Sequence, residues 1–137
     1  MKGYILGQIQ KKIGIWMDHA DAFITEVKKG ALETQSIQSG FTHGIKESTL
    51  SKSETTMHNK EQHMQSDYFK KLASIIENFD AVLLFGPTDA KSELLNLLSA
   101  DNRFSNIIIQ TEPADKMSIH QQHVFLKNHF AHNRYVH

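Results

Sequence analysis

The apolar residues of this chain change their period partway along, and that change limits the folds open to it. Between Lys11 and Gln38 hydrophobic side chains fall mostly on alternate positions, whereas beyond Asp67 they recur every three or four residues and are interrupted by unbroken apolar runs. A period of two belongs to strands with distinct faces, a period near 3.6 to helices with one apolar side, and a short continuous run to a strand covered on both faces. A chain that starts with the first pattern and ends by alternating the other two is an α/β domain whose sheet mixes antiparallel and parallel pairing.

The first part reads as a meander. KKIGIWMD, from Lys11 to Asp18, puts Ile13, Ile15 and Met17 on one face and Gly14 and Trp16 on the other. DAFITEVK, from Asp21 to Lys28, alternates Ala22, Ile24 and Glu26 against Phe23, Thr25 and Val27, and the two-residue link His19-Ala20 suits a hairpin. After a turn at Lys29-Gly30, ALETQSIQS sets Leu32, Thr34, Ser36 and Gln38 opposite Glu33, Gln35 and Ile37. That strand is the most polar of the three, which predicts a place towards a sheet edge.

From Gly40 to about Gln65 the apolar rhythm stops, and a polar loop rich in Ser, Thr, Lys, Glu and His is expected. Ser66 or Asp67 then offers a cap for a helix with Phe69, Leu72, Ala73, Ile76 and Phe79 on its apolar side. AVLLF follows as a buried strand, Thr88 as the cap of a helix turning Leu94, Leu95, Leu97 and Leu98 inward, and NIIIQ (Asn106 to Gln110) as a last buried strand. Ser118 and Gln121 have the spacing of a capping box for a terminal helix carrying Ile119, His123, Phe125, Leu126 and Phe130. The order β-β-β-α-β-α-β-α, with two right-handed crossovers into parallel strands, predicts a ribonuclease H-like mixed five-stranded sheet. One domain over residues 1–137, with the polar loop at about 40–65, accounts for the whole sequence.

Composition narrows the function. Lys and Arg total 15, as do Asp and Glu, so no overall positive field draws the chain to nucleic acid or anionic lipid, and any such contact must be local. The absence of cysteine excludes disulfides and thiolate chemistry and agrees with a reducing compartment. The start, MKGYILGQIQKK, has only a short apolar patch, and no run approaches the roughly 20 residues of a membrane span, so a soluble cytoplasmic protein is expected. In the polar loop Lys46, Lys52 and Lys60 are matched by Glu47, Glu54 and Glu61, which makes it either a solvated insertion or a segment that orders on a partner.

The combination of KIGIWMDHADAFI, LLFGPTDAKSEL and TEPADKMSIHQQ resembles the central domain of the archaeal and eukaryotic class 1 release factors and of Pelota, especially their small bacterial relatives. The resemblance runs from about Lys11 to Phe130, and its most specific piece is Gly-Pro-x-x-Ala-Lys-x-Glu-Leu, beginning at Gly86. It implies a translational role with the ribosome or a structured RNA as partner. In the full-length factors, the loop between the third strand and the first helix carries a Gly-Gly-Gln motif that enters the peptidyl transferase centre. Here the nearest triplet is Lys60-Glu61-Gln62, in which two glycines with a permissive backbone give way to Lys and Glu. The resemblance therefore implies a domain without its own hydrolytic activity, with Lys60 and Gln62 as contact candidates.

The strand-to-helix junction adds further candidates. Gly86 can take angles closed to other residues, Thr88 can cap, Lys91 falls in the first helical turn, and free amides beside a lysine suit an RNA phosphate. Asp89 opposes such an anion, and a plain structural connection accounts for the same residues. Asp115 and Lys116 follow the next strand's end and are expected to extend the patch. A protein-interaction module is the second reading. A two-metal nuclease is the third; it would need acids to converge on Asp18, and Glu77 and Asp89 are the other candidates. Paired histidines, His120 with His123 and His129 with His132, share helical spacing without a defined third ligand, so no metal and no cofactor is expected.

Overall fold

The computed structural model describes residues 11–28, 32–39 and 54–132, with the backbone alone for 54–61 and 132. Among the described residues there are five strands: β1 (Lys12–Met17), β2 (Asp21–Val27), β3 (Leu32–Gln38), β4 (Ala81–Gly86) and β5 (Ile108–Pro113). Three α-helices accompany them among the described residues, α1 (Glu54–Ile76), α2 (Ala90–Ser99) and α3 (Ile119–His132), with one 3-10 turn at Asn102–Phe104. The strands form a single sheet in the order β3-β2-β1-β4-β5. β1 pairs antiparallel with β2, and β2 with β3, while β4 lies parallel to β1 and β5 parallel to β4. This is the expected ribonuclease H-like mixed sheet, with the polar β3 at one edge.

Each face of the sheet has its own core. Ile13, Ile15, Met17, Ala22, Ile24, Val82 and Leu84 meet Tyr68, Phe69, Leu72 and Ile76 of α1 and Leu94 and Leu98 of α2. On the opposite face Trp16, Leu83 and Phe85 pack with Leu126 of α3, and Phe125 stacks on Phe85 at 4.9 Å between ring centroids. Central position explains why both alternating faces of β1 are buried: the strand has neighbours on either side and helices above and below. At Gly14 α3 packs so close that a Cβ would stand 2.0 Å from Leu126 Cδ2.

The terminal helix starts as its capping box dictates. Gln121 N–H donates to Ser118 Oγ at 3.1 Å, and Ser118 N–H donates to Gln121 Oε1 at 2.9 Å. Elsewhere the boundaries move. α1 begins at Glu54, so Ser66 and Asp67 are interior helical positions and residues 54–65 are helix rather than loop. That stretch contains no Gly or Pro and several good helix formers, so a helix anchored by its apolar second half propagates back through it without an apolar stripe. The rest of the expected polar loop, 40–53, lies outside the described residues.

β5 starts two residues later than NIIIQ suggested and is half-buried from Ile108 to Glu112 and exposed at Pro113, because it forms the second sheet edge. Of the four leucines expected inward on α2, Leu94 and Leu98 are buried one turn apart, whereas Leu97 is 55% exposed on the flank of that stripe. Ile119 is also exposed.

Gly14→Ala is expected to destabilise the fold by about 1–3 kcal/mol, since a methyl group must displace the buried Leu126 side chain. Denaturant unfolding of the single and the Gly14→Ala/Leu126→Ala double variant checks this. The double variant should cost less than the sum of its parts, and additivity would show that the two positions do not compete for space.

A candidate contact surface at the carboxyl end of the parallel strands

β1, β4 and β5 run in one direction, so their carboxyl ends meet at one rim of the sheet. This is where an open α/β sheet places the loops that can reach a ligand. Three segments build the rim: the turn after Met17, the junction after Phe85, and the stretch after Pro113.

The turn is closed by a side chain. Asp18 Oδ1 accepts the backbone N–H groups of Ala20 and Asp21, each at 2.8 Å, and Asp18 N–H donates to the Asp21 carbonyl at 3.0 Å. No described residue other than glycine has a positive φ, so the hairpin does not use a primed turn, and the Asp18 carboxylate supplies the closure instead. α1 fastens the turn from outside. Tyr68 Oη–H donates to the Asp18 carbonyl at 2.9 Å, and Gln65 Nε2 donates to the His19 carbonyl at 2.7 Å. His19 Nε2 reaches Glu93 Oε2 of α2 at 2.8 Å. Gln65 Oε1 is buried without a hydrogen-bond partner among the described residues, leaving an acceptor in a region otherwise fully engaged.

The junction depends on Gly86. Its φ is +153°, and a Cβ would stand 2.1 Å from the Met17 carbonyl oxygen, so neither the backbone angle nor the space admits a side chain. Thr88 Oγ1 accepts the Ala90 N–H at 3.2 Å, although Asp89 holds the formal N-cap position and makes no side-chain cap bond. Lys91 Nζ donates to the Thr88 carbonyl at 2.6 Å, which folds its charge back onto the start of α2. The third segment is tied to the second and to β1. Ala114 N–H donates to the Gly86 carbonyl at 3.1 Å, and the Trp16 indole N–H donates to the Asp115 carbonyl at 3.1 Å. The side chains of Asp115 and Lys116 remain exposed.

Five of the seven residues nominated from sequence are thus brought to one rim: Gly86, Thr88, Lys91, Asp115 and Lys116. Lys60 and Gln62 instead belong to α1, with Gln62 exposed one turn before Gln65. The residues that fix the rim, Gln65, Tyr68 and Trp16, were not among those nominated. The signal for the first two was present in the spacing Gln65, Tyr68, Leu72, Ile76, which continues the buried stripe of α1 through two polar residues.

The acids weighed for a metal nuclease do not converge. Asp18 is occupied by two backbone amides, Glu77 lies 3.8 Å from Arg103, and Asp89 is exposed at the start of α2. Among the described residues no group of three or more His, Asp or Glu is arranged to hold a metal ion. The helical histidines part company as well. His120 is exposed, His123 Nε2 lies 2.7 Å from Thr34 Oγ1, and His129 is buried between Glu112 Oε2 at 2.9 Å and Gln110 Oε1 at 3.0 Å.

No protein-family model and no curated protein matches this sequence. Solved structures do share its fold. Pelota from Thermoplasma acidophilum aligns over 87% of this chain with a TM-score of 0.57 and 15% identity, and Pelota from Archaeoglobus fulgidus over 88% with 0.52 and 13%. The archaeal translation termination factor aRF1 aligns over 88% with a TM-score of 0.52 and 16% identity. In each case this chain spans only 32–39% of the other protein's length. At these identities the likeness is one of fold.

Burial pushes the Tyr68 phenol well above the usual tyrosine range, and the carboxylates of Asp18 and Asp21 push it further. Because the folded-state value lies above the unfolded one, the stabilising effect is complete below about pH 10 and declines as pH rises beyond it. Urea unfolding at pH 8 and pH 11 should show an alkaline loss of stability that is smaller in Tyr68→Phe. At pH 8 that variant should cost about 1 kcal/mol for the missing hydrogen bond. An equal alkaline loss in both proteins would contradict the assignment.

Proposed function

We propose that this chain is a translation-associated domain, a small relative of the release-factor and Pelota central domain, that contacts the ribosome or a structured RNA through the carboxyl-end rim and has no hydrolytic activity of its own. The observation that carries the reading is the conjunction of two features. The fold aligns over nearly nine-tenths of this chain with Pelota and aRF1. Yet the sequence holds no Gly-Gly-Gln, and the nearest triplet, Lys60-Glu61-Gln62, lies inside α1. A helical backbone has its N–H and C=O groups committed along the axis and cannot thread into a narrow RNA cavity as a flexible glycine tip can.

At the rim, Lys116 is the cation best placed for a phosphate, since it is exposed beside the tied Asp115 backbone. Lys91 is already engaged with Thr88, so its role is to hold the junction rather than to reach out. A neutral chain with Lys116 as the outward-reaching rim cation implies weak, salt-sensitive binding rather than a broad electrostatic footprint. No helix of the described residues is long and apolar enough to cross a membrane, which is compatible with a cytoplasmic setting.

Sedimentation with purified ribosomes tests the reading: the chain should pellet at low salt and stay in the supernatant at high salt. Lys116→Gln should weaken binding and reduce the slope of log K against log salt by about one. Capture of a protein partner with no salt-sensitive ribosome binding would replace this reading with the interaction module. In a peptide-release assay the parent and Gln62→Ala should both stay at background. Release by the parent that is abolished in Gln62→Ala would contradict the non-catalytic reading.

A further inference from the structure

Among the described residues, α1 and α2 leave the sheet face they cover partly open near Glu33 and Gln35 of β3. Beneath the end of α1 lies a cavity of about 280 Å3, with Ile13 and Ile24 in its floor and Ile75 and Phe79 across from them. Its rim is charged. Glu26 and Glu33 are direct partners in the β2–β3 register, and Ile13 is the β1 partner of Glu26, so an apolar residue and two carboxylates form a row across three strands. Like charges directly opposed on antiparallel strands destabilise the pair, because their Cβ atoms are only about 4.5–5.5 Å apart. Lys28 Nζ lies 3.7 Å from Glu26 Oε2, and both side chains are substantially exposed, so this ion pair is weak. Among the described lining residues two carboxylates therefore face one ammonium beside an apolar wall.

We propose that this cavity binds a small organic cation, an amine or guanidinium carried on a short hydrocarbon or aromatic body. The cationic head sits between Glu26 and Glu33, where it relieves their repulsion and competes with Lys28. The apolar body lies against Ile13, Ile24, Ile75 and the ring of Phe79, which adds an aromatic face near the charge. The volume falls at the lower end of small-molecule sites, which limits the ligand to a compact body. The cavity shares none of its lining residues with the carboxyl-end rim, so this site stands or falls separately from any ribosome contact.

The test is a nitrogen-15 chemical-shift titration of the full chain with phenethylammonium, alongside phenylacetate and methylammonium. Phenethylammonium should give saturable shifts at Ile13, Ile24 and Glu33, methylammonium should bind more weakly for want of a body, and phenylacetate should not saturate. Glu33→Gln should weaken phenethylammonium binding by ~10-fold through loss of a charge-assisted contact. Lys28→Gln should tighten it by ~3-fold by removing the resident competitor. An absence of saturable shifts, equal binding of phenylacetate, or unchanged affinity in Glu33→Gln would overturn the proposal.

Discussion

β1 is paired on both edges and covered on both faces, and the rest of the molecule is arranged around the space it occupies. Its odd-numbered side chains, Ile13, Ile15 and Met17, enter the core beneath α1 and α2, and Trp16 enters the core beneath α3. Two glycines make this double coverage possible for different reasons. Gly14 gives Leu126 room to approach the strand, and Gly86 lets the end of β4 pass the Met17 carbonyl in a conformation that L side chains rarely adopt. A side chain at either position would push apart layers that the sheet order requires to touch.

The same strand determines what the carboxyl-end rim can do. Where β1 ends, the Asp18 carboxylate, the Tyr68 hydroxyl and the Gln65 amide fix the turn, and the Trp16 indole reaches across to hold the Asp115 backbone. The rim is consequently a preorganised surface, with its backbone groups positioned before any partner arrives. Its polarity is mixed, with Asp89, Asp115 and Glu93 among Lys91 and Lys116, so it carries no broad positive field that would attract polyanions in general.

Much of this was legible in the sequence because burial and period coincide in the strands. The alternation of Ile13, Ile15 and Met17, the run from Ala81 to Phe85 and the reciprocal pair Ser118 and Gln121 each encode local geometry that tertiary contacts reinforce. Residues 54–65 misled because helix propensity alone, without an apolar stripe, leaves no periodic trace. NIIIQ misled in another way. Three isoleucines suggest a strand buried on both faces, but the strand order puts this segment at an edge, and order is a property of the whole sheet. In the rim, Gly86 and the Asp115-Lys116 pair were visible as punctuation between elements. Tyr68 and Gln65 were not, and elsewhere the role of His129 was not, because polar residues in the interior are recognisable only once their partners are in place: His129 is specified by Gln110 and Glu112 on a neighbouring strand.

The central proposal is that the rim at the carboxyl ends of β1, β4 and β5 is the surface through which the chain would contact the ribosome. Hydrogen–deuterium exchange of the full chain with and without ribosomes at low salt addresses it directly. The account predicts added protection in peptides spanning Gly86–Lys91 and Ala114–Ser118, with the β2–β3 edge unchanged. Protection confined to the β2–β3 edge, with the rim exchanging as in the free protein, would contradict it.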